Sequence, residues 1–211
     1  MIRSVSKPSS RYSNRHARTL AGQALGTIDR MSRPPRARES VLDAFEGILI
    51  DEGERSATMD ATARAAGVSK GGLLYHFGSK DALESGVIER LDALVTDDIT
   101  AMTTAVEGPI AYFLRTSIME NDPLDRAILA TSRLAQGGNV SASTALRRVR
   151  ERWGDALRPH TKDAVALDLV MLVSDGLYFN NALAGGSIPG PVPRGAEMDT
   201  LIALVEASAR A

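Results

Sequence analysis

The chain of 211 residues contains no cysteine, and aromatic residues make up only 4% of it. Without cysteine there can be no disulfide framework, thiolate zinc site, iron–sulfur cluster or cysteine nucleophile. This absence fits a reducing compartment, and we expect a cytoplasmic protein. Scarce aromatic residues and β-branched runs argue against a large β-sheet, whereas a content rich in Ala, Leu, Arg and Glu favours helices.

Long hydrophobic runs are also missing. The most apolar stretch, residues 164–173, is ten residues long and contains Asp168, whereas a transmembrane helix needs about 20 apolar residues. Residues 19–28 are interrupted by Gln23 and two glycines, which does not fit a signal peptide. We therefore expect no contact with a membrane.

The sequence also lacks signatures of catalysis. His16, His76 and His160 lie far apart, so the paired-histidine spacing of a metal site is absent. There is no G-x-S-x-G motif, Gly-rich phosphate loop or H-E-x-x-H motif. Asp97 and Asp98 are adjacent and therefore point to different faces of a helix. No residue is assigned a catalytic role, and we expect no metal and no cofactor.

The formal net charge of −1 conceals an asymmetry along the chain. Residues 1–38 contain nine basic residues and one acidic residue, which gives +8, whereas residues 39–86 carry −5 and residues 87–211 carry −4. The basic arm, residues 1–33, is rich in serine and lacks apolar periodicity, so we interpret most of it as disordered.

Three interpretations of this arm stay open. It contacts DNA phosphates beside the folded domain, it is a solvated tail without a role, or part of it is missing from the native protein because Met31 is the true start. A composition rich in serine and arginine and poor in acids is also typical of a transit peptide.

Apolar residues recur at helical spacing along most of the remaining chain, and this pattern predicts about nine helices. Thr58, Ser69 and Ser79 are placed to cap the second, third and fourth helices. The seventh helix carries a basic run, residues 147–152, which we expect to face solvent. The predicted bounds are about 37–52, 58–66, 69–77, 80–105, 110–121, 123–137, a seventh helix that includes 146–157, 161–184 and 197–210, with a proline-rich loop at 185–195.

The most informative segment is TMDATARAAGVSKGGLLYHFGSK, residues 58–80. Two short helices joined by a turn that contains Gly67 are typical of a helix-turn-helix, whose second helix enters the major groove of DNA. Two glycines inside that second helix cost about 1 kcal/mol each relative to alanine, so we expect an offsetting gain such as close approach to DNA. Taken singly, Lys70 and Lys80 would be ordinary exposed lysines, and it is the joint spacing that indicates DNA binding.

The stretch AGVSKGGLLYHFGSKDAL resembles the end of the DNA-binding domain of TetR-family transcriptional regulators. The resemblance is specific over residues 37–83 and beyond them rests on the number and length of the helices. It implies an all-α fold in three parts. These are the basic arm at residues 1–33, a three-helix helix-turn-helix DNA-binding domain at residues 34–80, and a larger helical ligand-binding and dimerisation domain at residues 81–211.

The resemblance also implies roles for single positions of the helix-turn-helix. The start of the third helix would face the groove, and residues at both of its flanks would hold the DNA backbone. Leu74 stands where the family usually has tyrosine, so contact with a thymine methyl group would replace an aromatic contact. The DNA-binding candidates are Thr58, Ser69, Lys70, Gly71, Gly72, Leu74, Tyr75, His76 and Lys80.

For the rest of the chain, the resemblance implies a small-molecule cavity and a homodimer formed through the eighth and ninth helices. The eighth helix is apolar on nearly all sides, which fits burial against both the body and a partner, or the centre of a monomer. Aromatic and methionine side chains are typical of ligand pockets, but at helical spacing they also fit an ordinary core. The ligand-binding candidates are Met102, Tyr112, Phe113, Met119, Trp153, Met171, Asp175, Tyr178 and Phe179, with Asn181 as a further polar residue beside them.

The sequence therefore predicts an all-α, homodimeric, ligand-responsive transcriptional repressor that binds a pseudo-palindromic operator and is released by a small molecule. The expected partners are double-stranded DNA, an unidentified small-molecule effector and a second copy of the chain. The alternative is an all-α small-molecule-binding or scaffolding protein whose helix-turn-helix no longer binds DNA.

Overall fold

The computed structural model describes residues 33–182 and 190–210, and every regular element in these ranges is a helix. The all-α prediction is confirmed. Predictions about residues 1–32 and about the part of the loop at 183–189 concern segments outside this description. The helices are α1 (Arg33–Asp51), α2 (Met59–Ala65), α3 (Lys70–His76), α4 (Lys80–Thr104), α5 (Pro109–Thr116), α6 (Pro123–Gln136), α7 (Val140–Leu157), α8 (Ala164–Ala182) and α9 (Ala196–Ala209), with a short 3-10 turn (Arg158–His160) after α7.

The starts of α2, α3 and α4 are fixed by side-chain caps, as predicted. The hydroxyl groups of Thr58, Ser69 and Ser79 each accept a hydrogen bond from the backbone N–H of the third residue that follows, at 3.2, 3.0 and 3.2 Å. Each cap satisfies one of the backbone donors that a helix start leaves unpaired. Three serine or threonine side chains thus set the boundaries of the helix-turn-helix.

The end of α5 differs from the prediction. This helix stops at Thr116, because the next segment is held by the start of α6. Asp122 and Asp125 form a capping box there, and the Asp125 carboxylate also accepts the backbone N–H of Glu120 at 2.7 Å. Asn121 adopts a left-handed conformation with φ of 62°, which a helix cannot continue through.

One long helix, α4, contributes to all three apolar clusters of the described residues. Its first half packs with α1 and α3, its middle packs with α6 and α7, and its last turns pack with α5, α8 and α9. Two residues of α6, Ala130 and Leu134, and Ala142 of α7 belong to the same cluster as the helix-turn-helix core. The helix-turn-helix therefore packs directly against α6 and α7.

A cluster of charged residues fastens α1 to α4. The Arg90 guanidinium lies 2.8 Å from Asp43 and 3.0 Å from Glu46, and it also binds Glu39 at 2.5 Å. Glu46 is only 2% exposed, and burial raises the pKa of its carboxyl although Arg90 opposes that shift. Arg90 therefore compensates a charge that the protein interior would otherwise exclude.

The eighth helix has one covered face and one open face. Leu167, Val170 and Met171 are buried in the body, as expected for one side of an apolar helix. The opposite side, by contrast, exposes large apolar side chains along its whole length. These exposed residues are Val165, Leu169, Leu172 and Phe179.

No helix within residues 33–182 and 190–210 has the length and apolar character needed to cross a bilayer.

Candidate DNA-binding surface and ligand cavity

The third helix turns one face to the core and the other to solvent. Leu73 and Phe77 are buried, as their spacing predicts. Between them, Leu74 is 44% exposed and Tyr75 is 81% exposed. A large apolar residue and an aromatic ring thus stand in water on a helix whose opposite side is firmly anchored.

The start of α3 presents small and cationic groups. Ser69, Lys70 and Gly71 are exposed, and a Cβ atom at Gly71 would meet no other atom within 4 Å. The Lys70 ammonium lies 3.0 Å from the Asp60 carboxylate of α2, an exposed pair worth little in water. At Gly72 a Cβ atom would lie 3.3 Å from the Ser69 hydroxyl, so a larger residue there would crowd the cap of α3.

The other DNA-binding candidates occupy different environments. Thr58 is exposed at the start of α2, and the half-buried His76 ring contacts the Tyr75 ring edge-on with 5.1 Å between centroids. Lys80 is held within the domain, because its ammonium pairs with the Glu54 carboxylate and lies 3.3 Å from the Glu54 carbonyl. Its predicted contact with the DNA backbone requires this pair to open.

A cavity of about 270 Å³ lies among α4, α5, α6, α7 and α8. Its buried wall combines apolar and polar side chains, and further charged side chains are exposed at its outer part. Six of the nine ligand-binding candidates line it, and their role in binding stays a prediction. These six are Tyr112, Phe113, Trp153, Met171, Asp175 and Tyr178.

The remaining candidates do not line this cavity. Met102 is fully buried in the core, and Phe179 is 56% exposed on the open face of α8. Met119 is half-buried, and its carbonyl accepts a hydrogen bond from the Asn181 amide at 2.7 Å. That amide therefore fastens the loop after α5 to α8 and leaves the cavity to other polar groups.

The polar residue that sequence reasoning missed is Asp98. Its carboxylate accepts hydrogen bonds from the Trp153 indole N–H at 2.8 Å and from the Tyr112 hydroxyl at 3.3 Å. Burial raises the pKa of the Asp98 carboxyl above its ordinary value. A signal existed, since Asp98 continues the buried face of α4 in register with Val95 and Met102, whereas Asp97 is exposed as expected for the opposite face.

An ion pair lines the outer part of the cavity. Arg150 of α7 donates two short hydrogen bonds to the Asp175 carboxylate of α8, at 2.5 and 2.6 Å. Deeper inside, the hydroxyl groups of Ser117 and Ser174 lie 2.7 Å apart. Arg150 belongs to the basic run of α7, so that run is not wholly given over to solvent.

Two further groups at the cavity are buried and polar. Asp125 is committed to the capping box of α6, where it accepts backbone N–H groups. The Tyr178 hydroxyl is buried without a hydrogen-bond partner among the described residues. Burial, with the nearby Asp125 carboxylate, raises the pKa of Tyr178. An unpaired hydroxyl of this kind costs free energy unless something else satisfies it.

The described residues contain no group of three or more His, Cys, Asp or Glu side chains that could hold a metal ion.

Comparison with known proteins decides the family. Residues 41–84 match the family model described as bacterial regulatory proteins, tetR family, and residues 107–206 match a tetracyclin repressor-like C-terminal domain. The HTH-type transcriptional regulator BetI of Rhizobium meliloti (strain 1021) is 32% identical over 176 residues, which cover 76% of this chain and 85% of BetI. The chain belongs to the tetR family of transcriptional regulators.

Solved structures of tetR-like fold agree with this assignment. Salmonella enterica GusR is 17% identical with a TM-score of 0.59, over 85% of this chain and 98% of GusR. The transcriptional regulator SCO7518 from Streptomyces coelicolor A3(2) is 20% identical with a TM-score of 0.56, over 82% of this chain and 96% of its own. At such identities the likeness shows a shared fold, and the tetR assignment rests on the family models and on BetI.

Proposed function

We propose that this tetR-family regulator is a ligand-responsive repressor that acts in the cytoplasm, catalyses no reaction and binds a pseudo-palindromic operator as a homodimer. Its parts would be the basic arm at residues 1–33, the DNA-binding domain at residues 34–80 and the ligand-binding and dimerisation domain at residues 81–211. The observation that carries the proposal is the exposed face of α3, where Leu74 and Tyr75 lie in solvent while Leu73 and Phe77 anchor the opposite face in the core.

In this proposal the start of α3 reads the major groove. The small side chains there let the helix backbone approach base edges, Leu74 suits a thymine methyl group, and Tyr75 donates to a phosphate. Lys70 supplies a cation once it leaves Asp60, an exchange that a phosphate favours because it replaces one anion by another.

Lys70→Ala tests this role in a gel-shift titration with DNA from the region upstream of the gene. We expect weaker binding across sequences and a salt dependence whose log–log slope is smaller by about 1, because one phosphate contact is lost. Lys162→Ala is the matched control, since it removes the same charge from the segment before α8 and should change neither quantity. Equal behaviour of the two variants would contradict the role of Lys70.

The gel shift also distinguishes the proposed function from the alternative. One observation favours a chain that no longer binds DNA, namely that residues 39–86 carry a net charge of −5 and that Lys70 and Lys80 are both paired with acids. If the full-length protein shifts no upstream DNA even at low salt, the small-molecule-binding or scaffolding function is the better one.

The dimer in this proposal forms through α8 and α9. The open face of α8 is apolar along its length, and Leu204 extends the apolar surface onto α9. Such a patch on a regulator is best covered by a second copy, because two recognition helices about 34–36 Å apart match successive major grooves.

Leu172→Glu tests the dimer by analytical ultracentrifugation. We expect dissociation into monomers and loss of operator binding, because the new charge would be buried in the middle of the seam, that is, the proposed dimer interface formed by α8 and α9. Val106→Glu is the control, since Val106 is a fully exposed apolar residue outside both helices and should leave the dimer intact. A Leu172→Glu variant that sediments like the original protein would place the seam elsewhere.

A further inference from the structure

The cavity carries an excess of negative charge. Four carboxylates line it, those of Asp98, Asp122, Asp125 and Asp175, against the single guanidinium of Arg150. These five groups come from α4, the start of α6, α7 and α8, so the excess of negative charge is a property of the assembled cavity. It is not the charge of one helix face.

Three of the four carboxylates already have strong partners. Asp175 is neutralised by Arg150, and Asp122 and Asp125 accept backbone N–H groups at the start of α6. Asp98 also accepts hydrogen bonds only from neutral donors, and among the described residues it forms no salt bridge. Unlike Asp122 and Asp125, it lies inside a helix and gains nothing from the partial positive charge at a helix start. It is therefore the least compensated carboxylate at the wall of the cavity.

Aromatic rings line the cavity together with this carboxylate. Tyr112 and Trp153 bind it directly, and the Phe113 ring packs against the Trp153 ring with 5.8 Å between centroids and a tilt of 56°. Tyr178 adds a fourth ring and brings its unpartnered hydroxyl. Aromatic faces attract cations, by about 0.5–2 kcal/mol each depending on desolvation, and an uncompensated carboxylate attracts them further.

We propose that the cavity binds a small organic cation, an ammonium group carrying an apolar substituent, and that Asp98 selects its charge. This rests on the proposed function for its regulatory meaning, because it names the chemical class of the effector. An anion would meet Asp98 and Asp122, while Arg150, the only cationic side chain among the described residues that line the cavity, is already bound to Asp175. A neutral ligand would leave the charge of Asp98 unmatched. The cavity volume of about 270 Å³ limits the ligand to the small end of the usual range.

Trp153 is the only tryptophan of the chain and reports binding by its fluorescence. We would titrate the protein at pH 8 with benzyltrimethylammonium, with the similarly shaped benzyldimethylamine N-oxide, whose net charge is zero, and with the anion phenylmethanesulfonate. We expect a saturable response to the cation. The affinity for each of the other two probes should be lower than that for the cation by a factor of about ten or more. This comparison uses the unaltered protein, so it stands even if a variant fails to fold. A cation that binds no more tightly than the N-oxide overturns the proposal.

Asp98→Asn assigns the selection to one residue. The amide keeps the size of the side chain and an oxygen for the Trp153 indole, so we expect the preference for the cation over the N-oxide to fall about tenfold or more. Asp97→Asn is the matched control, because it removes the same charge from the neighbouring, exposed position of α4. If both variants keep the preference, Asp98 does not select the charge and the proposal fails.

The two levels of the hypothesis fail separately. A protein that prefers the cation but shifts no operator DNA keeps this inference and loses the proposed function. A protein that binds operator DNA but shows no charge preference in the cavity keeps the proposed function and loses this inference.

Discussion

The helix-turn-helix and the cavity differ in where they keep their functional groups. In the segment from Thr58 to Lys80 most candidate groups lie at the surface, and the caps formed by Thr58 and Ser69 act over three residues. In the cavity several polar groups, such as Asp98 and Ser174, are partly or fully buried, and the lining comes from five helices. Asp98 and Trp153, which share a hydrogen bond, are 55 residues apart.

This contrast teaches where stability is given up for function. A surface site costs little, because exposed groups remain solvated in the folded and unfolded states alike. An internal site removes polar groups from water and must recover that cost through partners. The unpaired Tyr178 hydroxyl and the buried Asp98 carboxylate, which has no cationic partner among the described residues, show that the cavity has recovered this cost only in part.

The largest effect is expected where a buried charge lies inside the N-terminal region. Arg90→Ala would leave Glu46 buried without its cation, and we expect a loss of about 3 kcal/mol in the free energy of unfolding. Chemical denaturation at pH 7 measures it. In a Glu46→Gln background the same change should cost clearly less, because no charge remains to be compensated.

The pH dependence of this variant follows from the pKa of Glu46. Burial raises that pKa in the folded state, and loss of Arg90 would raise it further. A raised carboxyl pKa means that its favourable contribution is present at low pH and is lost as pH rises through the folded-state value. The deficit of Arg90→Ala should therefore shrink as pH is lowered, and a deficit that grows would contradict this explanation.

An intermediate effect of opposite sign is expected in the cavity. Asp98→Asn should stabilise the ligand-free protein by roughly 1 kcal/mol at neutral pH, a typical gain when a functional site is relieved of its cost. Thermal unfolding checks it, with Asp97→Asn as a control that should have little effect. An unchanged or lower stability would show that the carboxylate is already well compensated.

This gain should also depend on pH. Burial holds the pKa of Asp98 above its ordinary value, so in the unaltered protein its contribution to stability is lost as pH rises through that raised value. The advantage of the asparagine variant should therefore be largest at neutral pH and vanish in acid. The other charged or titratable groups that line the same cavity as Asp98 are Tyr112, Asp122, Asp125, Arg150, Asp175 and Tyr178.

The smallest effect separates stability from DNA binding at the surface site. Gly71→Ala should raise the free energy of unfolding by about 0.5 kcal/mol, because alanine suits a helix and its methyl group would meet no atom. The same methyl group should lower operator affinity if the α3 backbone approaches DNA. Gly154→Ala in α7, also without a close neighbour, should leave operator affinity unchanged, and equal operator affinity in both variants would contradict the close approach.

The contrast between the regions also explains what the sequence could predict. Caps such as Ser69 act over three residues, so the bounds of α2 and α3 follow from local chemistry. The end of α5 does not, because it is set by Asp125 reaching back to the Glu120 amide from the next helix. Local patterns cannot show that two segments meet in this way.

The cavity illustrates the same limit. The cavity was expected from the family resemblance, and six of the aromatic, methionine and acidic candidates chosen for it by residue type do line it. Phe179 does not, since a shift of one residue, about 100° around the helix, separates it from Tyr178 on the covered side of α8. Asp98 was missed because a carboxylate on α4 is by default a solvated side chain, and only the indole of Trp153 across the cavity reveals that it lies inside.

The packing of the helix-turn-helix against α4, α6 and α7 has a thermodynamic consequence. These three helices also form walls of the cavity, and α4 alone is about 37 Å long at 1.5 Å per residue. If occupancy of the cavity weakens operator affinity by some factor, operator must weaken effector affinity by the same factor, because the two equilibria close a cycle. Titrating the effector with and without saturating operator would give that one number from either side.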